Sequence, residues 1–190
     1  MDEVAFRPAR AADSPAITEL YQMAAGGVAD YIWSGLAGPG ESVLDAGTQR
    51  FQRENTDFSY QHCLVAERDS DVVGMIHAYP IMEVQQVPDE VDPVLRPFCE
   101  LESAPGLYIA RVACYAEWCG QGIGTRLLDK TRRRAMGEGL PELSLIAFAE
   151  KSETIRLYER EGFTVHDRRP MPDHPLIHYG GDAVLMVAPL

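Results

Sequence analysis

The stretch Arg111–Met136, RVACYAEWCGQGIGTRLLDKTRRRAM, decides how the chain folds. The apolar run Leu107–Tyr115, LYIARVACY, has the composition of a buried strand. It passes through Cys119-Gly120-Gln121-Gly122-Ile123-Gly124 into a helix that runs from Gly122 to about Gly137. Ile123, Leu127, Leu128, Thr131 and Ala135 fall on one face of that helix. Glycines at such a turn let the backbone approach a ligand closely. The first N–H groups of a helix lack internal partners, and its dipole is positive at that end. The turn therefore suits an anion such as a phosphate or pyrophosphate. Gly-x-Gly turns also serve tight strand–helix packing, so the glycines alone leave both readings open.

Upstream, VAFRPAR (Val4–Arg10) reads as a short strand. AADSPAITELYQMAA follows as a helix, with Asp13 or Ser14 as its cap and Pro15 in its first turn. VADYIWSGLAGPGESVLDAGTQRFQREN holds two helical segments, parted near Gly38-Pro39-Gly40. HCLVAERDSDVVGMIHAYPI is a hairpin around the polar turn Arg68–Asp71. A proline- and acid-rich connection with a helical turn leads to the strand before the glycines. Downstream come a strand (ELSLIAFA), a helix (SETIRLYEREG) and two closing strands (FTVHDRRPM and DAVLMVAPL). This order predicts a mixed α/β or α+β sheet with helices on both faces, in a single domain over residues 1–190.

The chain's 190 residues suffice to bury a sizeable core. A net charge of −12 disfavours a sequence-independent nucleic-acid binder, which would be basic. It is compatible with a cationic substrate. No apolar run is long enough for a membrane span. MDEVAFRPAR lacks the basic and apolar regions of a secretory signal, so a cytoplasmic protein is expected. Cys63, Cys99, Cys114 and Cys119 match no zinc or disulfide spacing and are expected as reduced thiols, with no metal.

Two nucleotide motifs fail. No Gly-x-x-x-x-Gly-Lys-Ser/Thr string occurs. Counted from Gly122, the third glycine of a dinucleotide fingerprint would be Leu127, and the preceding strands form a hairpin rather than a βαβ unit.

The sequence does resemble the GNAT superfamily of acetyl-CoA-dependent N-acetyltransferases over essentially its whole length. Cys119-Gly120-Gln121-Gly122-Ile123-Gly124 is similar to that family's Arg/Gln-x-x-Gly-x-Gly/Ala motif. Lys151-Ser152-Glu153-Thr154-Ile155-Arg156-Leu157-Tyr158-Glu159-Arg160-Glu161-Gly162-Phe163 is similar to its Asn-x-x-Ala-x-x-Leu-Tyr-x-x-x-Gly-Phe signature. FRPARAADSPAITELY looks like its first strand and helix. Cys119 replaces the usual Arg or Gln, Lys151 the usual Asn, and Thr154 the usual Ala.

The resemblance implies a mostly antiparallel sheet of about seven strands, splayed between the fourth and fifth. It implies that Val112, Ala113 and Cys114 offer strand backbone to the pantetheine and thioester of acetyl-CoA. Gly120, Gln121, Gly122, Ile123, Gly124 and Thr125 would hold the pyrophosphate, with Cys119 beside them in the cofactor site. Lys151 or Ser152 would stand in for the missing Asn. Tyr158 would act as the general acid towards the leaving thiolate; the alternative is a packed aromatic. The reaction would be direct attack by an amine of a small molecule or protein. That amine must be neutral, so it needs a base or a proton-conducting water chain. The family's usual carboxylate positions are Tyr108 and Ile146 here. Glu102, Glu100 and His77 are the remaining candidates for the base.

Tyr31 and Trp33 read either as an acceptor-pocket wall or as core. A direct-transfer reaction needs no thiol nucleophile, which leaves Cys114 and Cys119 without that role. Two alternatives stay open beside the N-acetyltransferase: a donor with a longer acyl chain, and a CoA-binding regulatory module without catalysis. By resemblance, exposed terminal strands also raise a homodimer.

Overall fold

The computed structural model describes residues 4–190. Its strands are β1 (Ala5–Pro8), β2 (Cys63–Arg68), β3 (Asp71–Ile81), β4 (Gly106–Cys114), β5 (Glu142–Phe148), β6 (Thr164–Pro170) and β7 (Asp182–Pro189). Its helices are α1 (Ser14–Ala24), α2 (Val28–Leu36), α3 (Val43–Gln52), α4 (Arg96–Glu100), α5 (Ile123–Gly137) and α6 (Ser152–Arg160). The strands form one sheet in the order β1-β2-β3-β4-β5-β7-β6. Pairs β1/β2, β2/β3, β5/β7 and β6/β7 are antiparallel, and β4/β5 is parallel. The mixed sheet expected from the element order is therefore present, with the seven mostly antiparallel strands that the resemblance implies. The β4/β5 ladder covers Leu107↔Leu143 to Ile109↔Leu145, while β4 runs on to Cys114 and β5 to Phe148.

The described chain clusters into two compact units, residues 4–78 with 111–130, and residues 79–110 with 131–190. In the first, Ile17, Leu20 and Tyr21 of α1, Trp33 of α2 and Phe51 of α3 are buried with Val65 and Met75 of the hairpin. Tyr21 has Trp33, Phe51, Phe58 and His77 around it, with centroids 5.4–6.1 Å away. Such tilted and edge-on rings add to the area they bury. Asp13 does not cap α1 through its side chain, contrary to the expectation, and Ser14 is the first helical residue. The Asp13 carboxylate instead takes two N–H bonds from the Arg7 guanidinium, at 2.7 and 3.0 Å, and one from the Arg10 backbone at 2.7 Å. Arg7 also binds Glu67 across the β1/β2 pair. The Arg7 bond holds the Asp13 carboxyl below its ordinary range.

In the second unit, β5 and β7 are buried almost throughout. Their near-continuous apolar runs fit strands covered on both faces. Next to β7, the edge strand β6 is exposed along nearly all its length. It carries His166, Asp167, Arg168 and Arg169, and charges of this kind discourage further strands from adding to an open edge.

Candidate active site

The glycine turn lies in the first unit. Val112, Ala113 and Cys114 close β4 and are half-buried. The Tyr115 N–H donates to the Val73 carbonyl at 3.1 Å, which anchors the end of the strand. A single 3-10 turn, Ala116–Trp118, then swings the chain back to Cys119. Gly120 and Gly122 both take φ of +77°, a left-handed conformation that side-chain-bearing residues rarely adopt. The Arg126 N–H donates to the Gly122 carbonyl at 3.0 Å, the first turn of α5. Ile123, Leu127, Leu128, Thr131 and Ala135 are all buried, as the helical spacing predicts. Cys119, Gly120, Gln121, Gly122 and Thr125 are exposed, and Gly124 is half-buried.

The glycines are not there for packing. A Cβ built on Gly120, Gly122 or Gly124 meets nothing among the described residues within 4 Å, its own chain neighbours and helix backbone aside. Gly74 shows the contrast: a Cβ there would stand 3.1 Å from both the Ala113 carbonyl oxygen and Ile123 Cγ2. The positive φ accounts for Gly120 and Gly122. Gly124 has neither a positive φ nor a described neighbour within 4 Å, and it stands where the resembled motif takes Gly or Ala.

The second unit holds α6. Lys151 occupies its N-cap position, with its ammonium 4.7 Å from the centre of the Tyr179 ring. Ser152 is exposed in the first turn. Tyr158 is half-buried and meets Phe163 edge-on, with ring centroids 5.6 Å apart. Gly162, at φ +91°, ends the helix, and the Phe163 N–H returns to the Tyr158 carbonyl at 3.0 Å. The Leu-Tyr…Gly-Phe string is thus a helix stop with an aromatic lock, and it sets the Tyr158 ring against a buried Phe163.

His77 does not fit the role of base. It is fully buried, and its Nε2–H donates to the Asp57 carbonyl at 2.7 Å. Burial pushes its pKa down to about 3, so it is neutral across the physiological range. Glu100 is held by Arg169 at 2.9 Å and by Arg96 at 3.4 Å. Glu102 is half-buried in the segment between α4 and β4. Trp33 is core rather than an acceptor-pocket wall, being 1% exposed, while Tyr31 stays half-buried.

The family model described as the acetyltransferase (GNAT) family matches residues 31–163. The chain belongs to the GNAT family. No curated protein gives a significant match. Among solved structures, an N-acetyltransferase from Staphylococcus aureus Mu50 aligns with a TM-score of 0.67 at 21% identity, over 97% of this chain and 100% of that one. A GNAT family acetyltransferase from Elizabethkingia anophelis with acetyl-CoA bound aligns at 0.59 and 17%, over all of both chains. So does a PaiA N-acetyltransferase from Thermoplasma acidophilum in complex with coenzyme A, at 0.59 and 16%.

Membership places this GNAT protein among transferases that take acyl groups from CoA. Its departures from the family pattern now have locations. Tyr108 and Ile146, the positions at which the resemblance implied a carboxylate, are both 8% exposed, and Tyr108 packs on Tyr79 with centroids 5.4 Å apart. Cys119, in place of Arg or Gln, sits with its Sγ 3.0 Å from the Cys114 Sγ. Spacing gave no sign of that proximity, because it depends on the 3-10 turn between the two cysteines.

Proposed function

We propose that this GNAT protein is an N-acetyltransferase that moves an acetyl group from acetyl-CoA to an amine of a small molecule or protein. One observation carries the reading: the glycine turn stands open at the N-terminal end of α5, with no described neighbour within 4 Å of a Cβ at Gly120, Gly122 or Gly124, which supports room there for a ligand. The backbone N–H groups from Gly120 to Thr125, at the positive end of α5, suit a pyrophosphate, and Cys119 stands beside them. The backbone of Val112, Ala113 and Cys114 suits the pantetheine amides. Lys151 and Ser152 open α6, where the family's Asn would be.

When bound, acetyl-CoA supplies an activated thioester carbonyl. A neutral amine attacks that carbon as the C–S bond breaks. The Tyr158 hydroxyl gives its proton to the departing sulfur, and the ring's packing on Phe163 limits its rotation. Glu102 takes the amine's proton, directly or through water. His77, buried and neutral, is set aside, and of the two carboxylates named from the sequence we assign the role to Glu102, which lies between α4 and β4.

The absence of carboxylates at Tyr108 and Ile146 favours one second reading, a CoA-binding module without turnover. Calorimetric titration with acetyl-CoA, CoA, longer acyl-CoAs and ATP, followed by an amine panel, separates the two. Micromolar acetyl-CoA binding with turnover supports the enzyme. Binding without turnover on any amine supports the module, and no CoA binding removes both.

A further inference from the structure

We propose that Cys114 and Cys119 form a reversible disulfide across the turn into α5, by exchange with a low-molecular-weight disulfide. Cys114 is the last residue of β4, and Cys119 opens the glycine turn. The 3-10 turn Ala116–Trp118 folds the chain back and leaves the two sulfurs 3.0 Å apart. A disulfide bond is about 2.05 Å long, so closure needs only ~1 Å of approach. The Cys119 thiol also lies 3.5 Å from the Tyr115 carbonyl and 3.8 Å from that of Cys114, and both contacts keep it turned towards the strand.

The two thiols differ in a way that orders the steps. Cys119 is exposed, whereas Cys114 is half-buried. Burial, together with its Cys119 neighbour, pushes the Cys114 thiol up to about 12. Cys119 therefore attacks first. Its thiolate bonds to one sulfur of the incoming disulfide and expels the other as a thiolate. Cys114 then loses its proton to solvent and attacks the Cys119 sulfur, expelling the second small thiolate. Two protein thiols are oxidised, one small disulfide is reduced to two thiols, and the two protons released end on those thiols.

The consequence for the cofactor rests on the acetyl-CoA reading above. Gly120 directly follows Cys119, so the bridge ties the start of the turn to β4. The backbone there can then no longer adjust to a bound pyrophosphate, and acetyl-CoA binds more weakly.

The test uses the whole protein and excess glutathione disulfide, followed by alkylation and tryptic mapping without reduction. Both cysteines fall on one peptide, Val112–Arg126, while Cys63 and Cys99 lie elsewhere. The proposal expects that peptide to lose two hydrogens and refuse the alkylating agent, and expects Cys114→Ser to stop at a glutathione adduct on Cys119. A wild-type peptide that is doubly alkylated, or that keeps glutathione on Cys119, overturns it. Calorimetry of the bridged protein is expected to show acetyl-CoA affinity about tenfold lower, restored by dithiothreitol. Equal affinity overturns the link to the cofactor. If the reduced protein binds no acetyl-CoA, the functional reading fails, and the peptide map alone decides the disulfide.

Discussion

Gly47 of α3 lies directly against Trp33 of α2: a Cβ added to Gly47 would stand 2.7 Å from Trp33 Cε3. It would also stand 2.7 Å from Thr18 Cγ2 of α1. Three helices meet at this one missing side chain. A helical glycine costs about 1 kcal/mol relative to alanine, and here that cost allows the close approach.

Gly47→Ala is therefore expected to destabilise the protein. Overpacking of this kind costs about 1–3 kcal/mol, and the gain in helix propensity returns about 1. Urea unfolding of wild type and variant measures the balance. A variant as stable as wild type would mean that α2 and α3 can move apart freely.

Gly124→Ala makes the opposite case. An alanine Cβ there meets nothing within 4 Å among the described residues and needs no unusual backbone. Stability is expected to hold or to rise by up to about 1 kcal/mol. Acetyl-CoA affinity is expected to change little in Gly124→Ala, since the motif this turn resembles takes Gly or Ala at that position, and to fall about tenfold in Gly124→Leu, whose longer side chain enters the space kept for the pyrophosphate. Thermal melting and calorimetry on the same sample check both halves. Unchanged affinity in Gly124→Leu would mean that the space above α5 is not where the cofactor lies.

His77 predicts a pH dependence with a definite sign. Its pKa is 6.5 unfolded and about 3 folded, so the unfolded chain takes up a proton that the native protein refuses. The stability tied to its neutral form is complete above about pH 6.5 and falls as pH drops from there towards 3. Down to about pH 4.5, before most carboxylates titrate, the loss is roughly 2–3 kcal/mol. His77→Gln keeps a donor for the Asp57 carbonyl but does not titrate, so its stability should be nearly flat over that range. Parallel curves for the two proteins would show that His77 does not carry the effect.

The element order was legible in the sequence because periodicity and glycine placement are local. The buried stripe of α5 from Ile123 to Ala135 shows this. Features that join distant segments were hidden. Asp13 occupies a cap position, yet its carboxylate goes to Arg7, and Arg7 reaches Glu67 only through the β1/β2 register. His77 reads as an available base until the aromatic rings of α1 and α3 close over it. The turn's glycines were visible, but whether they packed against the chain or faced open space needed coordinates.

Tyr158→Phe tests the chemistry with the least disturbance of structure. The hydroxyl is lost, while the ring can still meet Phe163 edge-on and the Gly162 helix stop is untouched. Little change in stability or acetyl-CoA affinity is expected. If the hydroxyl protonates the leaving thiolate, turnover on the best acceptor should fall by about 10²-fold, in kcat rather than in KM for acetyl-CoA. The defect should ease with donors whose leaving thiol is more acidic, since these depart with less help from a proton. Release of free thiol under saturating acetyl-CoA measures the rate directly. Unchanged turnover would take Tyr158 out of the reaction and leave it as the aromatic that locks the end of α6.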